Sequence, residues 1–272
     1  MVTTLGYLVL TFCALVCLYP LVWMFLMSLK TNPEVHTNTF GLPQHWRWDH
    51  YAHVLNTSGV PRYFLNSFIV AVSTVVCILA LALPAGFSFG RLRFAGNSAL
   101  FILLMLGMMI PWQMVILPLF IQMKRLQFLN TYQGLIIPYV ASGLPFAVFL
   151  LRGFFRTMPE ELADAARVDG CSHYGVFWYI MVPLARPAIS TLVVFYFMWV
   201  WNEFLWALVS ISKEAYKTIT VGIYTTFQSS YSYNWPLMST GLVMVTVPIL
   251  LLYLIFQQQF MKGLTAGALK GV

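Results

Sequence analysis

The chain has 272 residues, of which 60% are hydrophobic, 17% are aromatic and only 8% are charged, and its formal net charge is +7. In soluble domains roughly a quarter of all residues are charged, so this composition excludes a water-soluble fold. The cations lie at the ends of apolar segments and in short loops rather than in one basic patch. We therefore expect no nucleic-acid partner.

Six apolar stretches are long enough to cross a membrane, because a spanning helix needs about 20 apolar residues. These stretches, which contain no charge or a single acid, are 5–29, 64–90, 95–123, 126–151, 187–212 and 218–261. The sequence therefore predicts an all-α, polytopic membrane protein with six transmembrane helices. We expect the first stretch to be a retained helix rather than a signal peptide, because it lacks a basic start and a small-residue cleavage site.

The first predicted helix, Leu5–Leu29, is followed by a polar loop that runs to about Arg62. The second predicted helix, at 65–89, ends with Gly86 and Gly90. Small residues at this spacing let two helices approach closely. We therefore expect the end of the second helix to pack tightly on a neighbouring helix.

Prolines interrupt the third and fourth predicted helices, which we place at 100–117 and 132–151. The third contains Pro111, and the fourth contains Pro138 and Pro145. Proline removes an intrahelical hydrogen bond, and within a membrane the freed carbonyl groups need partners from neighbouring helices, side chains or water. Either the prolines produce structural kinks, or these irregular points line a cavity for translocation.

A polar segment, residues 159–189, separates the fourth and fifth predicted helices. Thr157 and Glu160 have the spacing of a capped helix start, and Gly170 predicts the end of that helix because glycine tolerates the left-handed conformation. A second short helix should follow and end before Pro183. Such a hairpin either lies on the membrane as an amphipathic element or docks on a partner.

The fifth and sixth helices are predicted at 188–209 and 241–256, with a polar, aromatic loop at 213–240 between them. Glu203 is the acid within the fifth helix, and ionisable groups inside a membrane usually mark functional sites. We expect Glu203 and its neighbour Asn202 to face the interior, where they either contact a substrate or bond another helix. An ion-coupled secondary transporter of a small polar solute is the alternative function.

The remaining reactive residues do not form a recognisable site. Four cysteines lack the spacing of metal ligands or of a disulfide framework, and four of the five histidines lie in one loop without a cluster of acids or cysteines. The sequence also lacks the phosphate-binding P-loop pattern. We therefore expect no metal site and no ATP hydrolysis by this chain.

The polar segment also has a spaced pattern of small, acidic, apolar and proline residues: Ala165, Ala166, Asp169, Gly170, Phe177, Ile180, Pro183, Leu184 and Pro187. This pattern resembles the EAA loop of ABC-transporter permeases, the element through which the membrane subunit meets its ATPase. The segment from Trp201 to Glu203 and the tail at 262–271 resemble carbohydrate-uptake members of the type-1 (MetI-like) permeases. Among these, the chain is most similar to the smaller permease subunit of maltose-type sugar importers.

This resemblance implies a permease subunit of an ATP-driven importer for a sugar, either an oligosaccharide or a polyol. The implied partners are a homologous second permease subunit, two ATPase subunits, an extracytoplasmic sugar-binding protein and the lipid membrane. This chain would bind no cofactor, since ATP and Mg belong to the ATPase subunits. The loop would face the cytoplasm, which places both termini in the cytoplasm of a prokaryotic cell and the chain in its plasma membrane.

The resemblance also implies three groups of site residues. The first group, assigned to ATPase coupling, consists of Asp164, Ala165, Ala166, Asp169, Gly170, Phe177, Ile180 and Pro183. At the position of Asp164 the family usually has glutamate. The substrate path is assigned to Asn202, Glu203, Tyr224, Gln228 and Tyr231, although the last three could instead anchor the loop at the membrane interface. Gly263, Gly267 and Lys270 are assigned to a tail that either enters the ATPase interface or frays.

These assignments divide the chain into three parts. The first, 1–63, holds the first helix and an exterior loop, and the second, 64–258, is a five-helix core. The coupling loop, 153–187, belongs to this core. The third part, 259–272, is a cytoplasmic tail.

Overall fold

A computed structural model describes residues 2–56, 59–228 and 234–268. The protein is 82% helical and has no β-strand within the described residues, so the all-α prediction is confirmed. The α-helices of the described residues, in chain order, are α1 (Val2–Ser28), α2 (Asn32–Thr37), α3 (Asp49–Asn56), α4 (Val60–Arg91), α5 (Asn97–Leu106), α6 (Trp112–Arg125), α7 (Tyr132–Thr157), α8 (Glu160–Val168), α9 (His173–Gly175), α10 (Val182–Leu184), α11 (Arg186–Asn202), α12 (Leu205–Ser210), α13 (Ile219–Phe227) and α14 (Trp235–Ala268).

Four of these helices, α1, α4, α7 and α14, are each long and apolar enough to cross a membrane. Two further apolar segments are bent pairs, one made of α5 and α6 at 96° and one made of the α9–α10 segment and α11 at 70°. Each pair is either a broken span or a re-entrant loop. The predicted six helices are obtained when each bent pair counts as one span.

The predicted third helix, at 100–117, is wrong as a continuous element. α5 gives way to a short 3₁₀ turn, Gly107–Met109, and α6 begins only after Pro111. Ile110 is extended, with φ −86° and ψ 114°, because the ring of a following proline disfavours the helical conformation. Pro111 therefore separates two helices instead of kinking one.

Three other boundaries also differ from the sequence prediction. The predicted fifth helix divides at residues 203–204 into α11 and α12. The predicted loop at 213–240 contains α13, and α14 begins within it. The predicted glycine-rich tail is helical to Ala268, because a segment that extends an existing helix does not need the costly nucleation step of an isolated one.

The described chain separates into two compact units, Met1–Phe64 with Lys217–Leu250 and Leu65–Tyr216 with Leu251–Val272. The predicted division at residues 63 and 258 stays a prediction.

In the first unit, the buried Lys30 ammonium donates hydrogen bonds to the carbonyl oxygens of Asn38 (2.5 Å) and Thr39 (3.2 Å). Burial lowers the pKa of Lys30, an effect that the charge of Glu34 opposes. These contacts fold the segment that follows α1.

In the second unit, α4 and α7 are in close contact at two glycines. A Cβ atom added to Gly86 would lie 2.7 Å from the Cβ of Leu151, and one added to Gly90 would lie 3.2 Å from the carbonyl oxygen of Arg152. Real Cβ atoms essentially never approach another atom within 3.0 Å. The predicted tight packing at the end of the second helix is confirmed.

We predict that Gly86→Ala destabilises the protein, because the added methyl group has no room beside Leu151. Overpacking of this kind costs about 1–3 kcal/mol, partly offset by the better helix propensity of alanine. Gly153→Ala, on α7 with no atom near the added Cβ, is the matched control. The thermal unfolding midpoint in detergent should fall for Gly86→Ala alone, and equal midpoints would contradict the packing argument.

Candidate functional site

The predicted hairpin consists of α8 and a second helical segment, which are joined at Gly170. The Gly170 N–H donates to the carbonyl of Arg167 (3.0 Å), and the Cys171 N–H donates to that of Ala166 (2.9 Å). The φ of Gly170 is +87°, a value that suits glycine and strains other residues. The prediction that Gly170 ends the first helix is confirmed.

The predicted cap at the start of this hairpin is wrong. Thr157 is the last residue of α7, and its hydroxyl donates to the carbonyl of Phe154 (2.8 Å). The N-cap of α8 is Pro159, which makes no side-chain cap bond. α7 therefore includes Thr157, the residue that was predicted to cap the next helix, and α8 begins only at Glu160.

The second segment begins at Ser172, whose hydroxyl accepts a hydrogen bond from the Gly175 N–H (3.2 Å). Residues Val176–Met181 then form a π-helix, and the Val182 N–H donates to the carbonyl of Phe177. Pro183 does not end the helix, contrary to the prediction. The π-helical turn before it is wider than an α-helical turn, which relieves the clash between a proline ring and the carbonyl four residues earlier.

One face of the hairpin packs on the protein itself. The Phe177 ring lies 5.2 Å from that of Phe87 on α4, and the Arg91 guanidinium donates to the carbonyl of Met158. We call this the inner face; its buried side chains are Ala163, Ala166, Val176, Phe177, Met181 and Ala185. The hairpin is thus fixed to the end of α4 by ring packing and by a hydrogen bond.

The rest of the hairpin surface is exposed, and it carries large apolar side chains among charged ones. Val168 is 87% exposed, Tyr174 is 81% exposed and Tyr179 is 78% exposed. We call this the outer face; its exposed large apolar side chains are Leu162, Val168, Tyr174, Trp178, Tyr179 and Leu184. Several large apolar side chains exposed on one short element are typical of an interaction site.

The predicted coupling residues are divided between these faces. Asp164, Ala165, Asp169 and Pro183 are exposed, and Ile180 is half-buried. The Asp164 carboxylate accepts a hydrogen bond from Arg167 (2.6 Å) on the same helix. Ala166 and Phe177 are buried within the chain, although the resemblance assigns both to ATPase coupling.

Glu203 joins two helices at the break between α11 and α12. Its carboxylate accepts hydrogen bonds from the backbone N–H groups of Trp206 (2.8 Å) and Ala207 (3.1 Å), and from the hydroxyl of Tyr139 on α7. A carboxylate at a helix start satisfies free N–H groups and interacts favourably with the helix dipole. These contacts give Glu203 the role of a helix cap, one of the two roles that the sequence allowed.

Asn202 is exposed, and its amide donates to the carbonyl of Met198 (2.8 Å) one turn earlier in α11. A place for it in the substrate path stays a prediction.

A cavity of about 370 Å³ lies where the break at Pro111 meets α7 and α11. Aromatic side chains form much of its wall, with the polar side chains of Gln113 and Ser142 beside them. The lining residues are Gly107, Met108, Ile110, Trp112, Gln113, Ser142, Gly143, Phe146, Phe195, Tyr196 and Trp199. The structure thus brings the break at Pro111 together with Ser142 and Gly143, which lie between the two prolines of α7, at one cavity.

The other predicted path and tail residues lie elsewhere in the chain. Tyr224 is half-buried on α13, and Gln228 is exposed just after it. Gly263 and Gly267 lie within α14. Tyr231 and Lys270 lie outside the described residues.

The sequence of residues 82–265 matches the family of binding-protein-dependent transport system inner membrane components. The chain belongs to this family. It is therefore the membrane component of a transporter, and the resemblance to ABC permeases that the hairpin indicated is confirmed.

Relatives in this family are similar over nearly the whole chain. The diacetylchitobiose uptake system permease protein NgcG of Streptomyces coelicolor is 31% identical over 94% of this chain and 85% of its own length. The arabinooligosaccharides transport system permease protein AraQ of Halalkalibacterium halodurans is 34% identical over 98% of this chain and 95% of its own length. Both are permeases by name.

Solved structures share the fold. A chain of a bacterial ABC transporter that imports the acidic polysaccharide alginate superposes with a TM-score of 0.83 at 24% identity, covering 95% of this chain and 96% of that one. A chain of an alginate transporter bound to its periplasmic protein gives a TM-score of 0.70 at 12% identity, covering 93% and 92%. At these identities the likeness establishes the fold alone.

Sequence analysis missed the aromatic residues of the cavity wall and of the outer face. Trp112 directly follows Pro111, and Trp199 lies one helical turn before Glu203, so proximity to these irregular points was the available signal. Tyr174 and Tyr179 were missed because the hairpin was identified by the residues that build its turn and its inner face.

We predict that Glu203→Ala destabilises the protein, because two N–H groups lose their cap and the Tyr139 hydroxyl loses its acceptor. A lost cap costs about 1 kcal/mol and an unsatisfied buried group about 1–3 kcal/mol, which gives a total of roughly 2–4 kcal/mol. The measurement is the thermal unfolding midpoint. Asn202→Ala, an exposed neighbour, is the control and should change the midpoint little; an equally small effect at Glu203 would disprove its capping role.

Proposed function

We propose that this chain is the permease subunit of an ATP-driven importer that carries a sugar, an oligosaccharide or a polyol across a prokaryotic plasma membrane. The similarity to permeases for diacetylchitobiose and arabinooligosaccharides, over more than nine-tenths of the chain, carries this proposal. The chain supplies the path, and separate ATPase subunits bind ATP and Mg.

In this proposal the chain has four kinds of partner: three are proteins of the importer and the fourth is membrane lipid. A homologous second permease subunit completes the path, two ATPase subunits drive it, an extracytoplasmic protein delivers the sugar, and lipid surrounds the spans. α1 supports the need for a covering partner or lipid, because its most apolar window has no buried residue. An alginate transporter of similar fold has been solved with its periplasmic protein.

The hairpin transmits movement in this importer. Its outer face docks on an ATPase subunit, while its inner face is fixed to α4 by Phe87, Phe177 and the bond between Arg91 and Met158. A displacement of the docked hairpin therefore moves the end of α4, and α7 follows because the two helices are in close contact. This linkage suits a rigid-body switch between two states of the path.

This arrangement places the hairpin in the cytoplasm, since the ATPase subunits are there. Six spans then place both termini in the cytoplasm. In this proposal the tail with Gly263, Gly267 and Lys270 is on the cytoplasmic side and contacts the ATPase subunits. Tyr224, Gln228 and Tyr231 are assigned to the opposite side, where they contact the sugar during its delivery.

The aromatic cavity near Pro111 is proposed to form part of the sugar path. Sugar rings have apolar faces that stack on aromatic side chains, and their hydroxyl groups bond polar side chains. Trp112, Trp199 and Tyr196 supply aromatic surface, and Gln113 and Ser142 supply polar groups. Ligand sites combine an apolar wall with a few such polar groups.

The function is tested by uptake into vesicles that contain the full transporter. Uptake of labelled oligosaccharides should stop when ATP is removed and should persist with a protonophore. The reverse pattern would instead identify an ion-coupled secondary transporter. Thermal shifts of the binding protein with a panel of sugars identify the substrate.

We predict that Val168→Asp, on the outer face, weakens binding of the ATPase subunit, because it places a charge in an apolar contact. Leu42→Asp is the matched control, because it makes the same kind of change at a residue that is 67% exposed in the segment after α1. Pull-down of purified ATPase subunit should fall at least about tenfold, equivalent to 1.4 kcal/mol, for Val168→Asp alone. Equal retention by both variants would rule out docking through the outer face.

We predict that Trp199→Leu lowers sugar uptake, because the cavity wall loses an aromatic surface. Aromatic contacts of this kind contribute about 0.5–1.5 kcal/mol beyond their area, so uptake at low sugar concentration should fall about twofold to tenfold. Phe149→Leu, at an exposed position of α7 outside the cavity, is the control. If both variants transport alike, the cavity does not belong to the path.

A further inference from the structure

A second, larger cavity of about 710 Å³ lies between the last turns of α4 and the hairpin. We call it the α4 cleft. It lies in the second unit and is separate from the aromatic cavity near Pro111. Its lining residues are Leu79, Ala80, Leu83, Pro84, Phe87, Ser88, Arg91, Leu92, Arg93, Phe94, Arg167, His173, Tyr174, Phe177 and Trp178. Two of them, Tyr174 and Trp178, are exposed and also belong to the outer face.

The α4 cleft has an apolar part and a cationic part. The apolar part follows one stripe of α4 that includes Leu79, Leu83 and Pro84. Arg91 and Arg93 lie where this helix ends, and none of the described residues that line the cleft is acidic. The cleft therefore changes from apolar to positive along its length.

The two arginines at this end are available for an anion. Arg93 is exposed, and Arg91 is held in place by its bond to the carbonyl of Met158. Arg91 also has a buried Nε atom that makes no hydrogen bond in the described structure. Arg167, which lines the same region, is already paired with Asp164 and so contributes less positive charge.

The dimensions of the cleft match one leaflet of a bilayer. Leu79 and Arg91 are twelve residues apart on one helix, which corresponds to about 18 Å at 1.5 Å per residue. The hydrocarbon core of a bilayer is about 30 Å thick, or about 15 Å for each leaflet. A lipid chain that follows the apolar stripe therefore brings its headgroup to the arginines.

We propose that the α4 cleft binds an anionic phospholipid of the cytoplasmic leaflet, with its phosphate at Arg91 and Arg93 and an acyl chain along Leu79 and Leu83. Basic pockets beside membrane helices on the cytoplasmic side suit such headgroups. The proposal rests on the orientation in the proposed function, which places the hairpin in the cytoplasm. The lipid fills the space between α4 and the hairpin, beside Phe177.

The test measures lipid that remains with the purified full transporter. The complex is extracted from membranes that contain phosphatidylglycerol and phosphatidylethanolamine, and retained lipids are counted by mass spectrometry. Phosphatidylglycerol should be enriched on the wild-type complex. Each arginine near an anionic surface contributes about fivefold in affinity, so the double variant Arg91→Gln, Arg93→Gln should bind about 25-fold more weakly.

Two further variants separate lipid binding from folding. Arg93→Gln keeps the bond between Arg91 and Met158 and should lose about fivefold in affinity. Leu83→Trp fills the apolar part, keeps both arginines and should also lower phosphatidylglycerol retention. Arg186→Gln removes a cation of α11 outside the cleft and should retain phosphatidylglycerol like the wild type.

Three results would overturn the proposal. The first is equal phosphatidylglycerol retention by all variants. The second is a bound anion that inorganic phosphate displaces while no phosphatidylglycerol is retained. The third is a disulfide between the Leu83→Cys variant and a cysteine of the second permease subunit. The last would show that protein fills the cleft. Retention is measured without transport, so a complex that imports sugar but lacks bound phosphatidylglycerol refutes this proposal and leaves the proposed function intact.

Discussion

The close contact between α4 and α7 positions the other features of the second unit. Gly86 and Gly90 turn towards α7 with no room for a side chain, and the intervening Phe87 packs on both Phe155 and Phe177. One short stretch of α4 therefore holds a spanning helix on one side and the hairpin on the other. Because densely packed cores transmit strain, we expect a displacement of one of these elements to displace the others.

The hairpin shows that a family pattern and a contact surface can involve different residues. Gly170, Ala166 and Phe177, which carry much of the resemblance, form the turn and the inner face. The outer face depends instead on aromatic residues such as Tyr174 and Tyr179. In this hairpin part of the pattern therefore describes how the element folds and attaches to α4, and most of the large exposed side chains lie outside the pattern.

Local rules predicted the features that depend on one residue and its neighbours. Gly170 ends a helix and Gly86 permits close packing because both follow from the absence of a side chain. The π-helix before Pro183 was missed because the proline was expected to end the helix, whereas the wider turn accommodates its ring. Residues up to Ala268 were missed as helix because the tail was treated as an isolated segment. The same limit applies to the aromatic cavity, which forms only when distant helices meet.

Breaks in membrane helices require partners for the exposed backbone groups, and this requirement accounts for the charge at position 203. The carboxylate of Glu203 accepts from two N–H groups at the start of α12 and from the Tyr139 hydroxyl. The Trp206 ring, one residue into α12, lies 6.5 Å from that of Trp112, which starts α6. The two breaks thus lie side by side, and Glu203 stabilises one of them as a structural acceptor. The break between α11 and α12 therefore explains why an acid stands at this position, and Glu203 does not by itself indicate an ion-coupled carrier.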